Sequence, residues 1–387
     1  EILRCLVGSE MCIRDSFLTM QIKVITRHTP NNYGSLLQSI ATLRVIESLG
    51  HQCEIIDYWK RDEVGLQGIL TSLQGKSLWK NSLFKRMAYV ALRYPSEKIA
   101  ALRFDKMRRR YLKLTPRCYS MEELESLQAD VFMTGSDQVW GPLLDGGYDE
   151  AYFLSFVKEG IRKVSYAGSF GRTEFSDIII ASYKRLLSKY DALTVRESSA
   201  VKLLEEWGID CGGQVLDPTL LLDSSQWSEY IEEDVKKEYV LIYEIHNNPR
   251  LDDYAKRFAA HVGLPLVRVS PTFHQLARGG RFVFCPEIGT FLSYIKNARY
   301  MLTDSFHGTA FAINFHTPFL EVLPNNKTGA RNQSILQLTG LEDRIVTDFN
   351  DFSLADRQID YAKVNEIMHR ERERSMEKLA ELCECQM

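Results

Sequence analysis

Along Gln21–Thr26 (QIKVIT) apolar and polar positions alternate as in a half-buried strand, and beyond a polar stretch the apolar positions 36, 37, 40, 43, 46 and 49 recur with helical period. Gly50 ends that predicted helix, which spans Ser35–Leu49, and Cys53–Asp57 reads as a second strand, so the chain opens as β–α–β. The connection Asn31-Asn32-Tyr33-Gly34 lacks the GxGxxG spacing, so no dinucleotide is expected. Asn and Gly both tolerate positive φ, which suits a turn; Asn31, Asn32, Tyr33 and Gly34 also stand where a binding loop forms, at the carboxyl edge of a parallel sheet.

The rhythm breaks over Trp59–Thr115, where Leu, Phe, Tyr and Met are spread among basic residues, notably Lys106-Met107-Arg108-Arg109-Arg110. This predicts a helical insertion at about 60–115. Its basic cluster reads as a solvated helix face or as a patch that draws an anionic or lipid-linked acceptor. Strands return at Asp130–Thr134, Lys163–Ala167 and Ala192–Val195, with helices over Met121–Leu127, Phe175–Lys189 and onward from Arg196 to Trp207. A second series starts near Glu238: strand Tyr239–Ile245, helix Arg250–His261, strand Leu264–Val269, helix Glu287–Asn297, strand Arg299–Thr303, helix Thr309–Phe315 and strand Pro318–Val322. The predicted division is therefore 20–235, 236–345 and a C-terminal helical extension 346–387 that carries a charged helix, Val364–Leu382. Two βα-repeating halves with a late helix predict an α/β, GT-B-like fold, two Rossmann-like domains facing each other across a cleft.

Composition narrows the class. With 387 residues, 45% apolar and a net charge of −3, the chain has the make-up of an ordinary globular protein with no nucleic-acid partner, and no apolar run approaches membrane-spanning length. The eight cysteines (5, 12, 53, 118, 211, 285, 383 and 385) show no CxxC pairing and read as reduced thiols. Residues 1–19 (EILRCLVGSEMCIRDSFLT) show neither a basic n-region nor a long h-region; they resemble an adapter-derived translation artefact and are expected to be a non-native leader before Met20.

The chemistry-bearing stretch is Ala298–Val322, a strand–turn–helix–strand unit whose turn is Asp304–Gly308. In such a unit the turn lies at the carboxyl edge, beside free N–H groups of the next helix, where anions collect. There His307 is a candidate catalytic residue, Gly308 would let backbone approach a ligand, and Ser305 and Thr309 add hydroxyls. Earlier, Asp137, Gln138 and Trp140 in the loop after Asp130–Thr134 offer a carboxylate, a carboxamide and an indole suited to a sugar, and Arg196 ends a strand where an anion could sit. No His, Asp or Glu set has metal-ligand spacing; His246 and His274 read as surface residues.

The segments NNYGSLLQS, TGSDQVWGP, SYAGSFG, VRESSAVKLLEEWGI, VLDPTLLL, TDSFHGTAF and GLEDRI, in this order between about Met20 and Ile345, resemble the polysaccharide pyruvyl transferase family. The resemblance implies phosphoenolpyruvate as co-substrate with no other cofactor. It also implies a sugar of a surface polysaccharide, or of its lipid-linked precursor, as acceptor, and a cytoplasmic enzyme that meets the inner face of the membrane where the acceptor is lipid-linked. By motif, His307 matches the family's proposed acid and Arg196 is similar to its anion-binding arginine. Where the family often has two arginines before GLEDR, this chain has Arg331-Asn332-Gln333-Ser334, leaving Arg331 to complete the donor clamp from the opposite side of the cleft. Two other readings stay open: a GT-B glycosyltransferase using a nucleotide sugar, and an inert glycan-binding member, against which the intact His307 loop argues.

Overall fold

Short strands rich in Val, Ile, Leu and Phe, buried on both faces, call for helices above and below them. In the computed structural model they form two five-stranded sheets in which every recorded strand pairing is parallel. The structure describes residues 19–60, 68–70, 73, 82–143, 147–235, 238–324 and 329–384; the expected leader, apart from Thr19, lies outside them, as does part of the expected insertion. β1 (Gln21–Ile25), β2 (Gln52–Ile55), β3 (Val131–Thr134), β4 (Arg162–Gly168) and β5 (Ala192–Val195) pair in the order β2-β1-β3-β4-β5. β6 (Val240–Tyr243), β7 (Leu266–Ser270), β8 (Arg281–Phe284), β9 (Tyr300–Thr303) and β10 (Phe319–Glu321) pair in the order β10-β9-β6-β7-β8. Both sheets are doubly wound, the first in flavodoxin-like order and the second in the order of dinucleotide-binding folds. Their strand sequence reverses at β1/β3 and at β6/β9, where a crevice opens at the carboxyl ends.

The helices that cover them are α1 (Tyr33–Ser48), α2 (Leu83–Tyr111), α3 (Met121–Glu125), α4 (Asp177–Leu187), α5 (Ser198–Trp207), α6 (Pro218–Leu221), α7 (Ser224–Ser228), α8 (Pro249–His261), α9 (Ile288–Lys296), α10 (Phe306–Asn314), α11 (Ala330–Thr339) and α12 (Tyr361–Cys383). Two expected turns prove to be helix starts. Tyr33 and Gly34 begin α1, with the Asn32 side chain accepting from Gly34 N and Ser35 N; Gly34 has no positive φ. Likewise α10 begins at Phe306, so His307 and Gly308 lie in its first turn, capped by Ser305, which accepts from Gly308 N at 3.2 Å. In each case a capping side chain supplies the acceptor a loop was expected to need. β8, an edge strand with half-exposed residues, and α11, which carries Arg331, were absent from the sequence-based elements.

The two sheets share one apolar core. Tyr33 of α1 stacks on Phe291 of α9, with ring centroids 4.1 Å apart, and donates to Pro286 O at 2.5 Å. From the far end of the chain α12 returns to the first sheet, burying Val364, Met368, Leu379 and Leu382. Ser375 of α12 accepts from Leu216 N, and Arg372 donates to Leu220 O and to Asn314 Oδ1, so this helix bonds to groups on both sides.

Candidate active site

Side chains from the ends of β3, β4, β5 and β9 meet at one point, together with Asp217 from the start of α6 and Arg331 from α11. Arg196 follows β5 and is 3% exposed. Its Nη1 donates to Asp217 Oδ2 at 2.8 Å and its Nε to Glu197 Oε1 at 3.0 Å, while Ser169, after β4, donates to the same Glu197 oxygen. The guanidinium lies 4.4 Å from the Phe306 ring, a cation–π contact that fixes its plane. Asp217 also accepts from Ser136 Oγ at 2.8 Å and from Thr219 N, and with Pro218 at N1 it caps α6.

Across the cleft His307 turns its Nε2 to Asp217 Oδ2 at 3.7 Å; that nitrogen is buried and has no hydrogen-bond partner. The ring lies against Gly34 of the opposite half, so closely that a methyl group there would overlap the imidazole. Arg331, 6% exposed, faces the Gln138 side chain; with the carboxamide oxygen turned to it, its Nη2, Nε and Nη1 lie 2.8, 3.2 and 3.3 Å away. Among the described residues no carboxylate comes within ion-pair distance of Arg331, and the Nη2 of Arg196 has no hydrogen-bond partner.

The charges are strongly coupled. Burial works against ionised Asp217, yet His307 and Arg196 hold its carboxyl far below the ordinary range. Asp137 behaves alike: burial opposes its charge, and His307, Arg196 and Arg331 prevail and lower it. Its backbone sits at φ +78°, a left-handed conformation that Asp tolerates, from which Oδ2 accepts from Ser35 Oγ at 2.7 Å. Arg331 is pushed down to about 10, first by burial and then by the like charge of Arg196. Two buried guanidiniums that repel one another, one of them with its Nη2 unspent, make a setting that can receive a small anion beside the His307 imidazole.

The sequence pattern of the polysaccharide pyruvyl transferase family matches residues 32–326, three quarters of the chain. The chain belongs to that family. No curated protein matches it. Among solved structures, the glycotransferase of kitacinnamycin is similar at 12% identity and a TM-score of 0.48, covering 94% of this chain and 98% of the other. An α-glucosyltransferase in complex with UDP and a 13-mer DNA has 11% identity and a TM-score of 0.46, with 94% and 95% covered. UDP-N-acetylglucosamine 2-epimerase from Rickettsia bellii has 11% and 0.44, with 93% and 98% covered.

For a pyruvyl transferase family member, the site is drawn more tightly than its motifs suggest. His307, Arg196, Arg331, Asp137 and Gln138 are brought together. Trp140 is not available as a stacking face: it is fully buried among Phe153, Phe170 and Tyr190 and donates to Tyr152 O. Tyr33 is spent on the junction with α9, Asn32 on capping α1, and Asn31 accepts from Arg108 at 3.4 Å. Gly34 meets His307 rather than an acceptor. Gly308 is small because Thr303, Met301 and Tyr243 crowd it, not to admit a ligand. Ser305 is a cap, and Thr309 Oγ1 bonds to Glu321, which also accepts from Asn332 Nδ2 at 2.6 Å. Ser334, standing where a second arginine was sought, accepts from Gln214 Nε2 at 3.0 Å and from Ser198 N, while the like charge that acts on Arg331 is that of Arg196.

Asp217, Ser136, Glu197 and Glu321 escaped the sequence reading as site residues. Ser136, Glu197 and Asp217 stood inside the motifs TGSDQVWGP, VRESSAVKLLEEWGI and VLDPTLLL, and Asp217 also at the Asp-Pro-Thr start of a capped helix, whereas Glu321 left no signal. The basic cluster of α2 is largely spent on pairing: Arg108 is buried and donates to His28 O and Thr29 O, Arg109 pairs with Asp105 and Arg110 with Glu232. His246 Nδ1 lies 3.1 Å from Asp304 Oδ2. A roomier cavity of about 390 Å³ lies at the amino ends of β4 and β5, beside Lys378 and Glu381 of α12, at the edge where parallel sheets do not present their ligands.

Proposed function

We propose that the chain transfers pyruvate from phosphoenolpyruvate to two hydroxyls of a polysaccharide sugar, or of its lipid-linked precursor, forming a ketal and releasing phosphate. The observation that carries this reading is the pair of buried guanidiniums, Arg196 with its Nη2 unspent and Arg331 against Gln138, beside the His307–Asp217 pair. The donor's carboxylate and phosphate match two planar guanidiniums.

His307, protonated at Nε2 and steadied by the Asp217 carboxylate, gives its proton to C3 of the enol. C2 then becomes electrophilic and bonds to one sugar oxygen as that hydroxyl loses its proton. Phosphate leaves with the C2–O electron pair, and the second hydroxyl closes the ketal. The neutral imidazole takes up the first hydroxyl proton, and the departing phosphate takes up the second. Each turnover releases one phosphate and forms two C–O bonds.

The test measures phosphate release from phosphoenolpyruvate against a panel of lipid-linked and nitrophenyl sugars, with UDP-sugars as donors in a parallel arm. The expected result is release that depends on one acceptor class and falls by about 10²–10⁴-fold in His307→Gln, with the melting midpoint retained. Sugar transfer from a UDP-sugar without phosphate release from phosphoenolpyruvate would make the chain a glycosyltransferase.

A further inference from the structure

α2 carries apolar side chains where a solvated helix should carry polar ones. Leu83, Phe84, Met87, Leu92, Ile99 and Leu102 are 73, 80, 64, 73, 46 and 64% exposed. Isolated exposed leucines are ordinary, but this many on one helix mark a surface that meets something. The 3₁₀ turn Phe273–Arg278 packs beside the helix and adds Phe273 and Leu276, 47 and 50% exposed, so the apolar face continues beyond one element.

Charge identifies the occupant. α2 has nine lysines and arginines against two acids, a net of +7 in a chain whose total is −3. From Arg103 to Arg110 these charges are met by groups of the same chain, but Lys85, Arg86 and Lys98 on the outer stretch 83–102 have no carboxylate partner among the described residues. Large apolar side chains beside unpaired cations are the make-up of a helix that lies in the headgroup region of an anionic bilayer. A second copy of the chain would bring the same cations against one another.

We propose that the outer half of α2, with Phe273 and Leu276, docks on an anionic lipid surface and so holds the cleft beside membrane-bound acceptor. The geometry ties this face to the site. Arg103 donates to Phe284 O and Cys285 O, and Arg108 donates to His28 O and Thr29 O, just before Asn32 caps the helix start whose Gly34 touches His307. The placement of the acceptor rests on the reading of the site above; the docking itself does not.

The experiment is flotation of the purified full chain with vesicles of phosphatidylcholine alone and of phosphatidylcholine with phosphatidylglycerol, at low and high salt. Wild type floats with the anionic vesicles only, and less at high salt. The combined Phe84→Ser, Met87→Ser and Leu92→Ser variant loses about tenfold or more in partitioning. Lys85→Glu, Arg86→Glu and Lys98→Glu each lose about fivefold. Both sets keep the far-ultraviolet spectrum and the phosphate release of wild type on a soluble sugar. Absence of flotation, flotation equal in wild type and both variant sets, or a dimer in sedimentation that the serine variant dissolves would each overturn the proposal. Because flotation is read without any turnover, a protein that docks but releases no phosphate would reject the pyruvyl reading and leave docking standing.

Discussion

At Gly34 a Cβ would collide with the His307 ring, and its missing side chain is what lets His307 in. Gly34→Ala would favour the helix by up to about 1 kcal/mol and would drive the imidazole from Asp217, at a packing cost of about 1–3 kcal/mol. The expected outcome is a melting midpoint within a few degrees of wild type and phosphate release at least about tenfold slower; wild-type turnover would remove His307 from the chemistry or show that the ring moves freely. Arg331 poses the opposite problem, since a buried guanidinium with no carboxylate within ion-pair distance among the described residues burdens the fold. Arg331→Met, similar in volume and uncharged, is expected to raise unfolding stability by roughly 1–3 kcal/mol while lowering kcat/KM for the donor by about 10–100-fold. Denaturant melts and steady-state kinetics on one preparation test both halves of that claim, and a variant less stable than wild type would show that Arg331 is paired in the folded protein.

At the scale of elements, Glu321 ends β10 and holds two helices at once: Thr309 of α10, two residues beyond His307, and Asn332 of α11, next to Arg331. Burial raises its carboxyl from 4.5 to about 8, and nearby Asp304 adds to the rise. A raised folded value means the native state keeps a proton the unfolded chain has lost. The stabilisation is therefore complete below about pH 4.5, declines by up to about 1.4 kcal/mol per unit as pH rises, and is gone above about pH 8. Glu321→Gln keeps a neutral group of the same shape. Its stability relative to wild type should thus climb across that window, and parallel pH profiles of the two proteins would contradict the assignment. Elements were the most legible level of the sequence: Ala192–Val195 has the bounds its pattern predicts, and most others agree within a few residues. The elements that went unread have physical reasons. β8 is a half-exposed edge strand, and the first turns of α1 and α10 are polar because caps and interdomain contacts occupy them.

For the whole molecule, α12 closes the architecture by crossing from the second half to the first. Arg372→Ala removes donors to Leu220 O and Asn314 Oδ1 at once, and the expected cost is roughly 1–3 kcal/mol, read from the shift of the urea midpoint at constant slope. An unchanged midpoint would mean that α12 lies on the surface as a passive extension. By itself the sequence determined the βα alternation, the family and the motifs that bear His307, Arg196 and Arg331, because periodicity and local turn chemistry act over a few residues. Only the tertiary structure decided that Trp140 is core and that Tyr33 joins the two halves. It also brought Asp217, 90 residues before His307, to lie beside it and set the charge of Arg196 near that of Arg331. Those are properties of side chains meeting across the crevice between two sheets, and their burial and charge exist only once the sheets have packed.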